Sequence, residues 1–202
     1  MSIKRLLGVF LLMVATYSAA QAQCYIGFRD NKYAYIGYRL KDSWLFQFDH
    51  SIFVEHFKYQ YIRCSGGYAL NKKQFDVAAN LYAGITYCNS FYDLGAKIYG
   101  AYKPIKWFEI NAELNPHFDA KYKYTTCYMA GVRFNINEEI ALFTQYSTIP
   151  EYRISEGRIH VGLSLKVRHL QVAPQISIPT EGSVRTCRVL FGFRYEIPHT
   201  KR

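Results

Sequence analysis

Met129-Ala-Gly-Val-Arg-Phe-Asn-Ile-Asn-Glu-Glu-Ile-Ala-Leu-Phe143 carries an arginine inside an apolar run. Ala130, Val132 and Phe134 alternate with Gly131 and Arg133. Successive side chains of an extended strand point to opposite faces, so the arginine belongs to a polar face opposite an apolar one. Asn135 to Glu139 is a polar turn, and Ile140 resumes an apolar stretch. The segment therefore predicts strand, turn, strand. The same phrase occurs in Tyr35-Ile-Gly-Tyr-Arg-Leu40 and Leu190-Phe-Gly-Phe-Arg-Tyr195, with a milder copy in His160-Val-Gly-Leu-Ser-Leu165.

Alternation of this kind also runs from Phe75 to Cys88, Phe108 to Phe118, His160 to Val167 and Val189 to Ile197. The glycines Gly37, Gly67, Gly100, Gly131, Gly162 and Gly192 are spaced by 30, 33, 31, 31 and 30 residues. A polar turn follows each of the first five, and new apolar stretches begin at Trp44, Phe75, Trp107, Ile140 and Leu170. A period of this length with no helical or leucine-repeat pattern is one strand–turn–strand unit. Around Cys64 to Tyr68 and Gly95 to Gly100 the alternation slips by one residue, which predicts bulges. Six units from Cys24 to Ile197 give twelve strands at about 14 residues each, connections included; roughly 9–11 suffice for a tilted membrane strand, which leaves short loops at both ends. Ten or eight strands are the alternatives.

Closure removes the edges of an antiparallel sheet. Strands ~4.8 Å apart and tilted ~40° give a twelve-strand barrel about 24 Å across, too wide for one layer of inward side chains to form a dry core. One face is dominated by bulky apolar residues. The other carries Arg39, Asp76, Lys97, Glu109, Glu113, Arg133, Arg158, Lys166, Arg188 and Arg194. With the apolar face outward against lipid and the polar face lining a lumen, every backbone group is satisfied within the closed ladder. The expected fold is all-β, a closed antiparallel up-and-down transmembrane β-barrel. Trp44, Phe75 and Trp107 at strand starts, and Tyr59, Tyr61, Tyr87, Tyr92, Tyr122, Tyr124, Tyr128, Tyr146 and Tyr152 toward the other ends, suit two interfacial aromatic belts.

On these features the chain resembles the small outer-membrane β-barrel proteins of Gram-negative bacteria, across residues 23–202. The resemblance implies an integral outer-membrane location. It also implies membrane lipids and lipopolysaccharide as partners. In such proteins the last strand is read by the barrel-assembly machinery; Gly192, Tyr195 and Ile197 match that signal, while Leu190 stands where a polar residue is common and five residues follow Ile197.

The ends and composition fit export. Met1-Ser-Ile-Lys-Arg5 is basic, Leu6 to Ala15 apolar, and Ala20-Gln-Ala22 a small-x-small cleavage site, so residues 1–22 are expected to be a signal peptide. Cys24 raises a lipoprotein alternative, which Gln23 before it disfavours. Without Lys4 and Arg5 the chain keeps 23 basic against 15 acidic side chains. Turn residues Lys41, Lys72, Lys73, Lys103, Lys106 and Arg168 are expected to meet lipid headgroups or lipopolysaccharide phosphates. Nucleic acid is not an expected partner of an exported chain, and the oligomeric state is open. Cys24, Cys64, Cys88, Cys127 and Cys187 form no C-x-x-C spacing, so no zinc site is expected. They suit a barrel wall, and one disulfide stays open as an alternative.

No cofactor motif is present: there is no glycine-rich phosphate loop and no acidic calcium loop. A barrel hydrolase of the H-x-S type needs both groups on one face two residues apart; His160 and Ser164 are four apart, roughly 13 Å, beyond a nucleophile–base hydrogen bond. Asp49, His50 and Glu55-His56 are a candidate metal cluster near an outer loop, more simply solvated loop charges. Glu109 and Glu113 share a face as an acid–base pair would; neutralising lumen arginines is the simpler role. The expected function is a narrow pore or structural membrane protein with a polar, basic lumen and no catalytic site. A lipid-acting acyl hydrolase or a surface-exposed adhesion protein are the alternatives.

Overall fold

A computed structural model describes residues 22–40, 43–51, 60–87, 91–120, 123–148, 157–181 and 187–198. Twelve strands follow one another: β1 (Ala22–Arg29), β2 (Tyr33–Leu40), β3 (Trp44–Ser51), β4 (Tyr61–Asn71), β5 (Phe75–Thr86), β6 (Tyr92–Ile105), β7 (Phe108–Asp119), β8 (Lys123–Asn135), β9 (Ile140–Ser147), β10 (Arg158–Val167), β11 (Leu170–Pro179) and β12 (Arg188–Glu196). Each pairs antiparallel with its sequence neighbours, and β1 pairs with β12 to close the barrel. The leader expected over residues 1–22 lies outside the described residues except for the backbone of Ala22. So do Cys88, Glu55-His56, Lys41 and the belt residues Tyr59, Tyr122 and Tyr152.

Polarity is inverted relative to a soluble domain. Leu81 is 71% exposed and Val161 48% exposed, whereas Asp49, Ser51 and Ser177 are wholly buried. Apolar side chains facing outward from a closed backbone ladder suit hydrocarbon, which supplies no hydrogen bonds and demands none. Aromatics cap this band. Trp44 packs edge-on against Tyr68 and Phe75 stacks on Tyr102 near the same ends of their strands. Tyr61, expected in the outer belt, points into the lumen and is buried.

Five connections at one end span only two to four residues each: 41–43, 72–74, 106–107, 136–139 and 168–169. At the other end β3–β4, β9–β10 and β11–β12 are joined over 52–60, 148–157 and 180–187. The other three connections at that end, 30–32, 87–91 and 120–122, are short as well, so loops longer than expected are confined to three connections at one end. In barrels of this class short turns face the periplasm.

Pairing differs from expectation in two places. The β3–β4 and β5–β6 registers run unbroken through Cys64–Tyr68 and Gly95–Gly100. The irregularity lies between Tyr102 and Ile105, in the β6–β7 pair. The apparent slips arise from side-chain choice: Ala69, Tyr99 and Ala101 face inward, while Gly66 and Gly100 face outward, so apolar and small residues sit on the unexpected sides. Lys103, expected in a turn, belongs to β6 and faces the lumen.

Two glycines of the repeat, Gly37 and Gly162, seat an aromatic ring. Five of the six recurring glycines face inward, and a β-carbon on Gly37 would fall inside the Tyr25 ring. Tyr82 lies over Gly95 and Phe143 over Gly162 in the same way. At these three positions the glycine lets a ring from the neighbouring strand lie on the lumen wall, the cross-strand arrangement by which aromatics cover strand glycines, whereas Gly67 and Gly131 lie against Asn80 and Gln145.

The closing seam is short, with Cα partners from Tyr25↔Glu196 to Phe28↔Phe193. Polar contacts extend it. Asn31, with φ of 58°, donates from Nδ2 to the Val189 carbonyl at 2.8 Å and accepts the Phe191 N–H at 2.8 Å. Asparagine tolerates that left-handed backbone well. At the other end Gln23 donates to Glu196 at 3.0 Å, and the Ile197 N–H reaches the Cys24 carbonyl at 2.9 Å.

Candidate functional site

The lumen is built by alternate residues of all twelve strands, so register decides its chemistry. Pairing places Arg39, Asp76, Glu109, Glu113, Arg133, Arg158, Lys166, Arg188 and Arg194 on the inner face. The same rows add Arg29, Arg63, Lys97, Lys103 and Lys123, with Asp49, Asp93, Asp119 and Glu196. Among the described strand residues the inner face thus bears eleven cations and seven carboxylates, and Asp30 in the turn after β1 adds a carboxylate that accepts from the inward Gln175 at 3.4 Å.

Most carboxylates are covered by partners. Asp49 on β3 is the focus: Arg29 reaches it from β1 at 3.1 Å and Arg63 from β4 at 3.3 Å, while Gln47 donates to its Oδ1 at 2.9 Å. A buried carboxylate needs such multiple partners to stay charged. Lys97 pairs with Glu113 at 3.2 Å, Lys103 with Asp76, and Arg194 with Glu196 at 3.3 Å. Tyr61 donates to Asp93 at 3.0 Å, and Tyr82 to Asn115 at 2.7 Å. Arg63 lies over the Tyr82 ring and Arg194 over Tyr25, at 5.1 and 4.0 Å from the centroids. These rings hold the guanidinium planes against the wall.

Some cations also donate to neutral groups. Arg133 donates to Asn135 at 3.0 Å and to Ser164 at 3.2 Å, and Arg158 to the Ser177 hydroxyl at 2.6 Å. Arg39 and Lys166 make no ion pair among the described residues, and each lies one residue inside a short turn. A cavity of about 150 Å³ opens off the wall between Arg29, Arg63, Lys97 and Tyr82. Its lining includes cations and neutral hydrogen-bonding groups but none of the seven carboxylates.

Catalytic and metal chemistry find no matching geometry among the described residues. The Ser164 hydroxyl accepts from Arg133 and from Gln171 at 2.8 Å, contacts that seat a structural serine. Asp49 points inward, while His50 points outward and meets Tyr87 at 3.1 Å, so the two do not converge. No group of three ligating side chains among the described residues is placed to hold a metal. Cys24, Cys64, Cys127 and Cys187 are free thiols. Gly192 faces the lumen, Tyr195 faces outward, and Ile197 follows the end of β12.

Sequence reasoning left Arg29, Asp49 and Arg63 out of the lumen set. Arg29 closes a short strand, Asp49 adjoins His50, and Arg63 precedes the Gly66-Gly67 pair. Carrying the parity of β4 back from Ala69 to Tyr61 reaches Arg63.

The fold, its inverted polarity and its charged lumen define a porin-like β-barrel integral to the outer membrane. No protein-family model matches the chain, and no curated protein matches its sequence. Among solved structures it resembles a KdgM porin in complex with disordered oligogalacturonate, with a TM-score of 0.67 at 9% identity over 88% of this chain and 99% of that one. A second KdgM porin structure gives a TM-score of 0.64 at 9% identity, with the same coverage. The likeness is one of fold.

Proposed function

We propose that the protein is a narrow aqueous pore that favours anions. The observation that carries this reading is the excess of inward cations over inward carboxylates inside a closed barrel. A charged wall bounded by low dielectric concentrates counter-ions along the path. Arg39 and Lys166 contribute most directly at the short-turn mouth, because neither makes an ion pair among the described residues. The oligogalacturonate in the complex of the similar KdgM porin bears carboxylates, and an anionic sugar chain is the larger solute this lumen suits. Planar-bilayer recordings in a salt gradient test the reading. The expected result is a reversal potential on the anion side that shrinks in Arg39→Gln with Lys166→Gln. Cation preference, or absence of conductance, contradicts it.

Two partner roles belong to the same reading. Lys72, Lys73, Lys106 and Arg168 lie exposed at the short-turn end, where they face anionic headgroups. Refolding into phosphatidylcholine vesicles is expected to improve on adding phosphatidylglycerol; indifference to the anionic lipid contradicts that role. Gly192, Tyr195 and Ile197 act as the assembly signal. Tyr195→Ala with Ile197→Ala is then expected to lower outer-membrane insertion in cells while sparing spontaneous refolding in vesicles, and an equal loss in both counts against it.

A further inference from the structure

The inward charges are sorted by wall. On the consecutive strands β10, β11, β12, β1 and β2, the described inward residues include Arg158, Lys166, Arg188, Arg194, Arg29 and Arg39 against Glu196 and, in the turn after β1, Asp30, whose carboxylate accepts from the inward Gln175 at 3.4 Å. On β5, β6 and β7 they include Asp76, Asp93, Glu109, Glu113 and Asp119 against Lys97 and Lys103. In a twelve-strand ring β6 stands opposite β12, so the two sets face each other across the lumen. Between them, Asp49 of β3 and Arg63 of β4 offset each other at 3.3 Å, and the described inward residues of β9 carry no charge. Lys123 and Arg133 of β8 stand beside the acidic wall without equalling it.

The separation reaches the short-turn mouth, where Arg39 and Lys166 make no ion pair among the described residues. Across from them Glu109 accepts from Tyr99 at 3.5 Å and Asn111 at 3.4 Å, with Arg133 as its Cα partner on β8. The low-dielectric wall between the arcs focuses their field across the path and not along it.

We propose that this cross-lumen polarity selects zwitterionic solutes, those with an ammonium and a carboxylate several bonds apart. Such a solute lies across the lumen, its carboxylate toward β10–β2 and its ammonium toward β5–β7. It passes more readily than a neutral solute of equal size. The proposal rests on the open-pore reading above and adds a substrate class to it. Net wall charge accounts for a preference among simple ions; only the sorting of charge by wall favours a solute with no net charge.

The test compares swelling of proteoliposomes in isosmotic 6-aminohexanoate and 6-hydroxyhexanamide, a zwitterion and a neutral compound of similar length. The zwitterion is expected to enter faster, by on the order of tenfold, the lower end of field-driven local enrichment. The variant Arg39→Gln, Lys166→Gln, Glu109→Gln is expected to bring the ratio of rates toward one, with heat-modifiable gel mobility showing that the barrel is folded. Equal rates in the native protein, or an unchanged ratio in the folded variant, overturn the proposal while leaving the pore intact. Entry of neither solute overturns the pore reading and this inference with it. Should the triple variant not fold, Glu109→Gln alone is read; it keeps both Tyr99 and Asn111 contacts available and must lower the ratio.

Discussion

Asp49 and Arg63 face each other across the β3–β4 pair, 3.3 Å apart, with the carboxylate wholly withdrawn from solvent. Arg29 approaches the same carboxylate from β1, so one acid ties together strands on either side of β2. Removing it leaves two guanidinium groups without their counter-charge. Asp49→Asn is expected to cost about 3–5 kcal/mol, the range for breaking a buried ion pair from one side. Arg29→Gln is expected to cost less, because Arg63 and Gln47 still serve the carboxylate. Urea-dependent refolding into vesicles, followed by tryptophan fluorescence, gives both values. A loss for Asp49→Asn no larger than for Arg29→Gln contradicts this ranking.

Gly37 seats the ring of Tyr25, whose hydroxyl donates to Gln47 at 3.2 Å. A methyl group at Gly37 has to displace that ring. Gly37→Ala is expected to destabilise by about 1–3 kcal/mol, as overpacking does. At Gly100 an added β-carbon meets nothing within 4 Å, so Gly100→Ala is expected to be nearly neutral. The same refolding titration compares them, and similar losses at the two sites count against the ring-seating account.

The β1–β12 seam depends on Asn31 for two of its hydrogen bonds. Asn31→Ala removes both and places alanine at a left-handed backbone. A loss of about 0.5–1.5 kcal/mol per hydrogen bond is expected. The seam is expected to open first, so amide exchange should quicken in β1 and β12 while β6 and β7 keep their protection. Uniform quickening in all strands contradicts a local role for Asn31.

Leu163 and Thr125 test the two faces by charge. Leu163 is exposed on the outer face of β10, whereas Thr125 lies inward opposite His117 on the row next to Asp119. Leu163→Arg is expected to cost roughly 2–4 kcal/mol at a lipid-facing site near mid-depth. Thr125→Arg is expected to cost little, since carboxylates stand close by. Equal losses on refolding into bilayers sink the face assignment.

Strand number and most strand starts were legible because alternation and the glycine period are local signals. The starts at Trp44, Phe75, Ile140 and Leu170 coincide with those expected, while β7 begins one residue late, at Phe108 and not Trp107, and β1 two residues early, at Ala22 and not Cys24. Where lumen residues are themselves apolar, as at Tyr99 and Ala101, alternation misleads: a wall position can be filled by a ring or a methyl group as well as by a charge. That is why the irregularity after Tyr102 was misplaced and Lys103 assigned to a turn. The Asp49 cluster was illegible for a different reason. It joins three strands through side-chain reach, and no spacing along the chain encodes which carboxylate two distant arginines share. The sorting of charge between walls likewise appears only once the strands are arranged in a ring.

The central claim is that apolar residues meet lipid and polar residues line an aqueous lumen. Nitroxide labels placed singly along β11, from Gln171 to Ile178 in a cysteine-free background, test it most directly through their relaxation by oxygen, which partitions into lipid, and by a water-soluble nickel chelate. Labels at Val172, Pro174, Ile176 and Ile178 are expected to respond to oxygen, and those at Gln171, Ala173, Gln175 and Ser177 to the chelate. The opposite alternation, or none, would contradict the account.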